Sequence, residues 1–219
     1  MGDTSTEYGC NTDDMRMIHG VFRREFRLAP PMVRAVDPGD TAKAGRVRDH
    51  VVEISEMLHH HHTGEESLVF DKLETRAPAC AIHVGIMRQQ HEQVQALLDQ
   101  VEGRASTWAA DGSAEHRESL ATLMDEISST LDAHLGQEED DILPVAETSM
   151  TQQEWSAVGE AGMASLPKNR LLVQLGYILE DQTPEERAQF MTRVPPPARL
   201  LYKLVGRKKY EKEIADLRG

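Results

Sequence analysis

Two short stretches of the chain repeat one chemistry. His61-His62-Thr63-Gly64-Glu65-Glu66 and His134-Leu135-Gly136-Gln137-Glu138-Glu139 both read H-x-x-x-E-E. In a helix, a spacing of four places two side chains on one face, one above the other. His61 and Glu65 continue the apolar stripe Val47, Val51, Ile54, Leu58. His134 and Glu138 continue the stripe Leu120, Leu123, Ile127, Leu131. His19 falls among Met15, Ile18, Phe22 and Phe26, and His91 among Val84, Met87, Val94 and Leu98. Each imidazole and carboxylate is therefore expected in an interior, where an ionised carboxylate is costly unless paired or metal-bound. Four imidazoles and two carboxylates exceed what one zinc ion takes. They suit two first-row metals that share the carboxylates as bridges, and the mixed nitrogen and oxygen donors point to iron or manganese.

The elements that must position these donors are legible as helical periodicity. Four segments are expected as helices, over about residues 13–36, 41–73, 79–108 and 114–146. At 1.5 Å rise per residue such helices are about 35 to 50 Å long. Asp37-Pro38-Gly39-Asp40, Pro78 and Asp111-Gly112-Ser113 mark the turns between them. Short turns make sequential helices antiparallel. Strand signals are absent. The fold class is thus all-α, an up-down-up-down four-helix bundle over residues 13–147 with a helical C-terminal extension over 151–219. Pro30 and Pro31 are expected to kink or interrupt the first helix. Asp40 or Thr41 is expected as an N-cap, and Thr151 to Glu154 and Thr183 to Glu186 as capping boxes.

Composition narrows the function classes. The formal net charge of −13 argues against nucleic acid as a partner. Residues 1–150 carry 13 basic and 28 acidic groups and residues 151–219 carry 11 and 9, so the extension is the less acidic part. Two cysteines, Cys10 and Cys80, imply no disulfide framework and fit a reducing cytoplasm. No apolar run is long enough to span a membrane, and the N-terminus does not read as a signal peptide. Gly2 followed by Thr6 matches the permissive myristoylation pattern, which we read as coincidence. The basic final helix carries Arg199, Lys203, Arg207, Lys208, Lys209 and Lys212. Its Leu200, Leu201, Leu204 and Val205 are expected to pack on the bundle rather than on a membrane.

A lone His on the first helix, H-x-x-x-E on the second, His on the third and H-x-x-x-E on the fourth resembles the hemerythrin-like, HHE cation-binding proteins. In particular it is similar to actinobacterial-type members with a helical C-terminal extension. The resemblance implies a non-haem, carboxylate-bridged pair of iron ions held by His19, His61, Glu65, His91, His134 and Glu138. It also implies a small ligand such as dioxygen, peroxide or nitric oxide. One position departs: oxygen-carrying relatives have a second histidine one turn before the third-helix ligand, and here that residue is Met87, with His83 off the stripe. A ligand fewer would favour sensing or peroxide chemistry over reversible oxygen carriage.

Among the remaining histidines, His62 lies about 100° from His61 around the helix and is expected beside the site as a supporting residue, or exposed, rather than as a ligand. Glu66 and Glu139, off the stripe, are expected to orient the imidazoles. His59 and His60 are expected at the surface or along a path to the site, and His50, His83 and His116 in solvent. Three functions remain open on these residues: binding or sensing of a small oxygen or nitrogen species, a di-iron catalase or peroxidase, and iron storage or delivery.

Overall fold

The computed structural model describes residues 7–219; Gly2 and Thr6 lie outside them. It is all-α, and divides into two units, Met1–Ser165 and Leu166–Gly219. The first unit is a four-legged helical bundle followed by one further helix.

The first leg is α1 (Asp13–Arg34). The second is α2 (Thr41–Glu65), a wide π-turn at Glu66–Phe70 and α3 (Asp71–Arg76). The third is α4 (Ala81–Leu98) and α5 (Val101–Asp111); the fourth is α6 (Ala114–Asp141) and α7 (Leu143–Ser149). Then comes α8 (Gln152–Ser165). Asp40 caps α2 by accepting from the Lys43 backbone N–H, and Ser113 caps α6 by accepting from that of His116. Pro30 and Pro31 do not interrupt α1, which runs on to Arg34. Each removes one N–H from the backbone ladder, and burial of Ala29, Pro30 and Val33 holds these last turns helical. The third leg breaks at Asp99–Gln100, a discontinuity without a sequence punctuator.

The antiparallel arrangement of the first and fourth legs is fixed by pairs that run in opposite chain directions. Arg23 reaches Asp132 at 3.1 Å, while Arg34 reaches Glu118 at 2.6 Å. At one end two turns meet. The Gly39 N–H donates to the Gly112 carbonyl at 3.0 Å. Gly112 closes α5 in the left-handed region at φ 62°, and a Cβ there would sit 3.0 Å from Gly39 Cα. Only glycine suits both demands.

At the other end, Met15, Phe70, Leu73, Val84, Met87, Ile142, Leu143 and Trp155 form a closed apolar cluster. Trp155, from α8, is 2% exposed, and its indole N–H donates to Asp14 at 2.9 Å. Thr151 and Glu154 form the expected reciprocal cap at the start of α8: the Glu154 N–H donates to Thr151 Oγ1 at 3.2 Å, and the Thr151 N–H to Glu154 Oε2 at 3.0 Å. The π-turn shifts the second leg so that Val69, Phe70 and Leu73, rather than Leu68, carry its buried face. His50 is buried, not solvated: its Nε2 lies 3.2 Å from Glu25 Oε2, and Arg24 donates to Glu25 at 2.6 Å.

The second unit comprises α9 (Leu171–Leu179), α10 (Pro184–Arg193), α11 (Pro196–Leu201), a second π-turn at Tyr202–Gly206 and α12 (Arg207–Arg218). Thr183 and Glu186 form a full capping box. Glu213 gathers Arg170 at 2.6 Å and the Tyr177 hydroxyl at 2.9 Å. A Cβ at Gly176 would fall 2.3 Å from the Tyr210 ring. Leu200, Leu201, Leu204 and Val205 are exposed, and no element of their own unit covers them. Among the described residues no helix is long and apolar enough to cross a membrane.

Candidate metal centre

The six predicted donors converge. His19, Glu65, His91, His134 and Glu138 are buried, and the His61 side chain is 10% exposed. Each leg contributes, because each stripe that packs the bundle continues directly into a polar residue. Glu65 lies between two legs' imidazoles: its Oε1 is 2.9 Å from His61 Nε2 and its Oε2 is 3.5 Å from His91 Nε2. Glu138 does the same on the opposite side, its Oε2 standing 3.5 Å from His19 Nε2 and 3.8 Å from His134 Nε2.

His62, expected beside the site or in solvent, is buried in it instead. Its ring stacks on His91 with centroids 4.1 Å apart and planes 12° from parallel, and meets His134 edge-on at 5.1 Å. Two donor groups result, His62 with His91 and His134, and His19 with His61 and Glu65. In each, the candidate ligand atoms lie within 4.8 Å of one another. Glu65 and Glu138 each approach one imidazole of either group, the placement a bridging carboxylate needs. The sequence held a signal for His62: it is four residues beyond Leu58 and three before Glu65, both on the stripe. An interior face wider than a single line admits both neighbours.

The imidazoles are oriented from behind, as expected for Glu66 and Glu139. Glu139 Oε1 accepts from His19 Nδ1 at 2.9 Å and from Arg23 at 2.7 Å. Glu66 accepts from His91 Nδ1 at 2.9 Å through Oε1, while its Oε2 is gripped by Arg88. In each H-x-x-x-E-E stretch the second glutamate thus serves a histidine of another leg. His134 is treated differently: its Nδ1 meets an amide, Gln90 Oε1, at 2.9 Å, and Gln90 is fixed in turn by Gln137 at 2.8 Å. Nothing in the local sequence marked Gln90. His83, with its side chain 45% exposed, pairs with Asp141 at 3.0 Å, and His59 and His60 are exposed.

The front of the site is polar, buried and unsatisfied. Among the described residues, Nε2 of His19, His91 and His134, both nitrogens of His62, and Oε2 of Glu65 and of Glu138 have no hydrogen-bond partner, and the close approach of His61 Nε2 to Glu65 Oε1 lacks hydrogen-bond geometry. Buried polar atoms are normally satisfied, so a concentration of such atoms facing one another suits a bound cation. Electrostatics agree. Burial pushes the Glu65 carboxyl up to about 8. Burial and the facing charge of Glu65 push Glu138 up to about 8 as well. Burial takes His61 down to about 4, His91 to about 3 and His134 to about 2, which keeps the imidazoles neutral and able to ligate. Outside this ring, Glu139 resists its partial burial: hydrogen bonds from His19 and Arg23 bring it down to about 2.

A helical bundle whose interior gathers neutral imidazoles around unpaired carboxylates defines a protein that binds metal cations. The Hemerythrin HHE cation binding domain family model matches residues 10–146, and the chain belongs to that family. No curated protein and no solved structure matches the chain.

Proposed function

We propose that the bundle holds two iron ions bridged by Glu65 and Glu138, with His19, His61, His91 and His134 as further ligands. The centre would bind a small oxygen or nitrogen species: dioxygen, peroxide or nitric oxide. The observation that carries this reading is the set of buried nitrogens and oxygens that face one another and have no protein partner. When bound, such a metal pair supplies Lewis acidity and one-electron redox chemistry. The chain's own residues supply the rest. Glu66 and Glu139 fix the tautomer and direction of His91 and His19, and Arg88 and Arg23 anchor those glutamates in place. The rings of Phe22, 5.1 Å from His61, and Phe70, 5.3 Å from His91, line the donors with apolar surface. Apolar surface beside the donors disfavours charged species there.

We rank binding or sensing over turnover, and over storage or delivery of iron. The second unit is the feature a simple carrier does not need. Cys10 and Cys80 are free thiols, in keeping with a reducing cytoplasm. Metal analysis with an optical spectrum tests the reading. About two irons per chain with near-ultraviolet and visible absorption of a bridged ferric pair is expected. Zinc, or no metal after iron loading, refutes it. Oxygen release from peroxide by the iron-loaded protein would shift the assignment to a catalase, and more than two irons per chain to storage.

A further inference from the structure

We infer that His62 is a fifth imidazole ligand of the centre, completing a three-histidine group with His91 and His134; this rests on the two-metal reading above. The position that lacks a histidine on the third leg, Met87, is compensated from the second leg. Adjacent residues of α2, His61 and His62, then serve different halves of the site.

Three observations carry the assignment. His62 is 4% exposed and lies in the middle of the donor cluster, against His91 and His134. Its candidate ligand atom is within 4.8 Å of those of both neighbours. Above all, neither of its ring nitrogens has a hydrogen-bond partner. His19, His91 and His134 each have Nδ1 engaged by a supporting side chain, leaving only Nε2 to face the site. A structural histidine in a core keeps a donor and an acceptor satisfied. An imidazole with both unsatisfied destabilises the metal-free fold. As a ligand, one of its nitrogens gains a partner in the loaded protein that the metal-free fold does not offer.

The test uses metal-stripped full-length protein, titrated with cobalt(II) and followed by its visible ligand-field absorption, alongside thermal melting of the metal-free form. The wild type is expected to take about two equivalents. His62→Leu should lose one tight equivalent or bind it about 10- to 100-fold more weakly, with an altered spectrum, the range for a lost metal-site interaction. The same variant, without metal, should melt higher than the wild type, because two orphaned polar atoms are gone. His60→Leu, two residues away and exposed, should change neither quantity. If His62→Leu takes two equivalents with wild-type affinity and spectrum, or if its metal-free form melts lower, the assignment of His62 fails while the two-metal reading stands. If the leucine variant does not fold, cobalt affinity of His62→Gln decides: wild-type affinity overturns the assignment and weakened binding supports it. A wild type that takes up no cobalt removes the two-metal reading itself.

Discussion

The two supporting glutamates differ in a way that sets the order of their effects on metal binding. Glu139 uses a single oxygen, Oε1, for both His19 Nδ1 and Arg23. A glutamine placed there with its carbonyl in that position keeps both hydrogen bonds and loses only the charge. Charge-assisted bonds are about twice as strong as neutral ones, so Glu139→Gln is expected near the low end of supporting-residue effects, about tenfold in metal affinity. Glu66 divides its oxygens, Oε1 to His91 and Oε2 to Arg88. A glutamine there must turn its amide nitrogen toward either a guanidinium or an imidazole N–H, donor against donor. Glu66→Gln is therefore expected near the high end, about 100-fold, or about 2.7 kcal/mol at 1.36 kcal/mol per tenfold. Competition against a chromophoric chelator at fixed pH measures both, with exposed Glu92→Gln as control. Equal losses, the reverse order, or wild-type affinity in both variants would refute the supporting roles derived from these contacts.

Three further outcomes are expected. In the metal-free protein, Glu65 and Glu138 are raised from 4.5 to about 8, so the fold binds protons that the unfolded chain has released; above about pH 7, where the histidines lowered from 6.5 no longer act in the opposite sense, stability falls as pH rises toward 8. Metal holds both carboxylates ionised and should abolish that fall, so metal-free melting temperatures that are flat or rising over this range would contradict the burial argument. Trp155→Ala should cost about 3 to 5 kcal/mol in denaturant unfolding of the first unit, from the cavity left in a closed cluster; a loss below 1 kcal/mol would mean that α8 is not part of that core. Thr183→Ala removes an exposed capping box and should cost about 1 kcal/mol, read as a lower melting temperature of the second unit with metal content unchanged.

Much of the site was legible because burial and chemistry used the same periodicity. His61, Glu65, His134 and Glu138 stand where the aliphatic stripes require an inward side chain, and His19 and His91 follow the same logic. Glu66 and Glu139 were legible as helpers, being one residue off those stripes. Gln90 was not, since an amide on a half-buried face carries no signal until its partner is known. Treating the stripe as a line left His62 between the edge of the site and solvent, although a bundle interior accepts neighbours about 100° apart. His50 was misplaced because its partner, Glu25, belongs to another helix, and long-range pairing of charges leaves no local pattern. The helix through Pro30 and Pro31 departs from propensity because tertiary packing holds its last turns: Ala29, Pro30 and Val33 are buried.

The wide turn at Glu66–Phe70 carries one residue more than an α-helical path would use. Everything beyond it in the second leg is set in phase by that surplus. Substitution at its outward positions leaves the phase alone, and loss of one residue inside the turn would let it close to an ordinary α-helix with Leu73 still facing the apolar cluster. The same loss within the regular α2 helix would instead rotate the following residues by about 100°, swinging Leu73 out and a polar neighbour in. The turn is therefore where the second leg stores its one spare residue, and the helix before it has none to give.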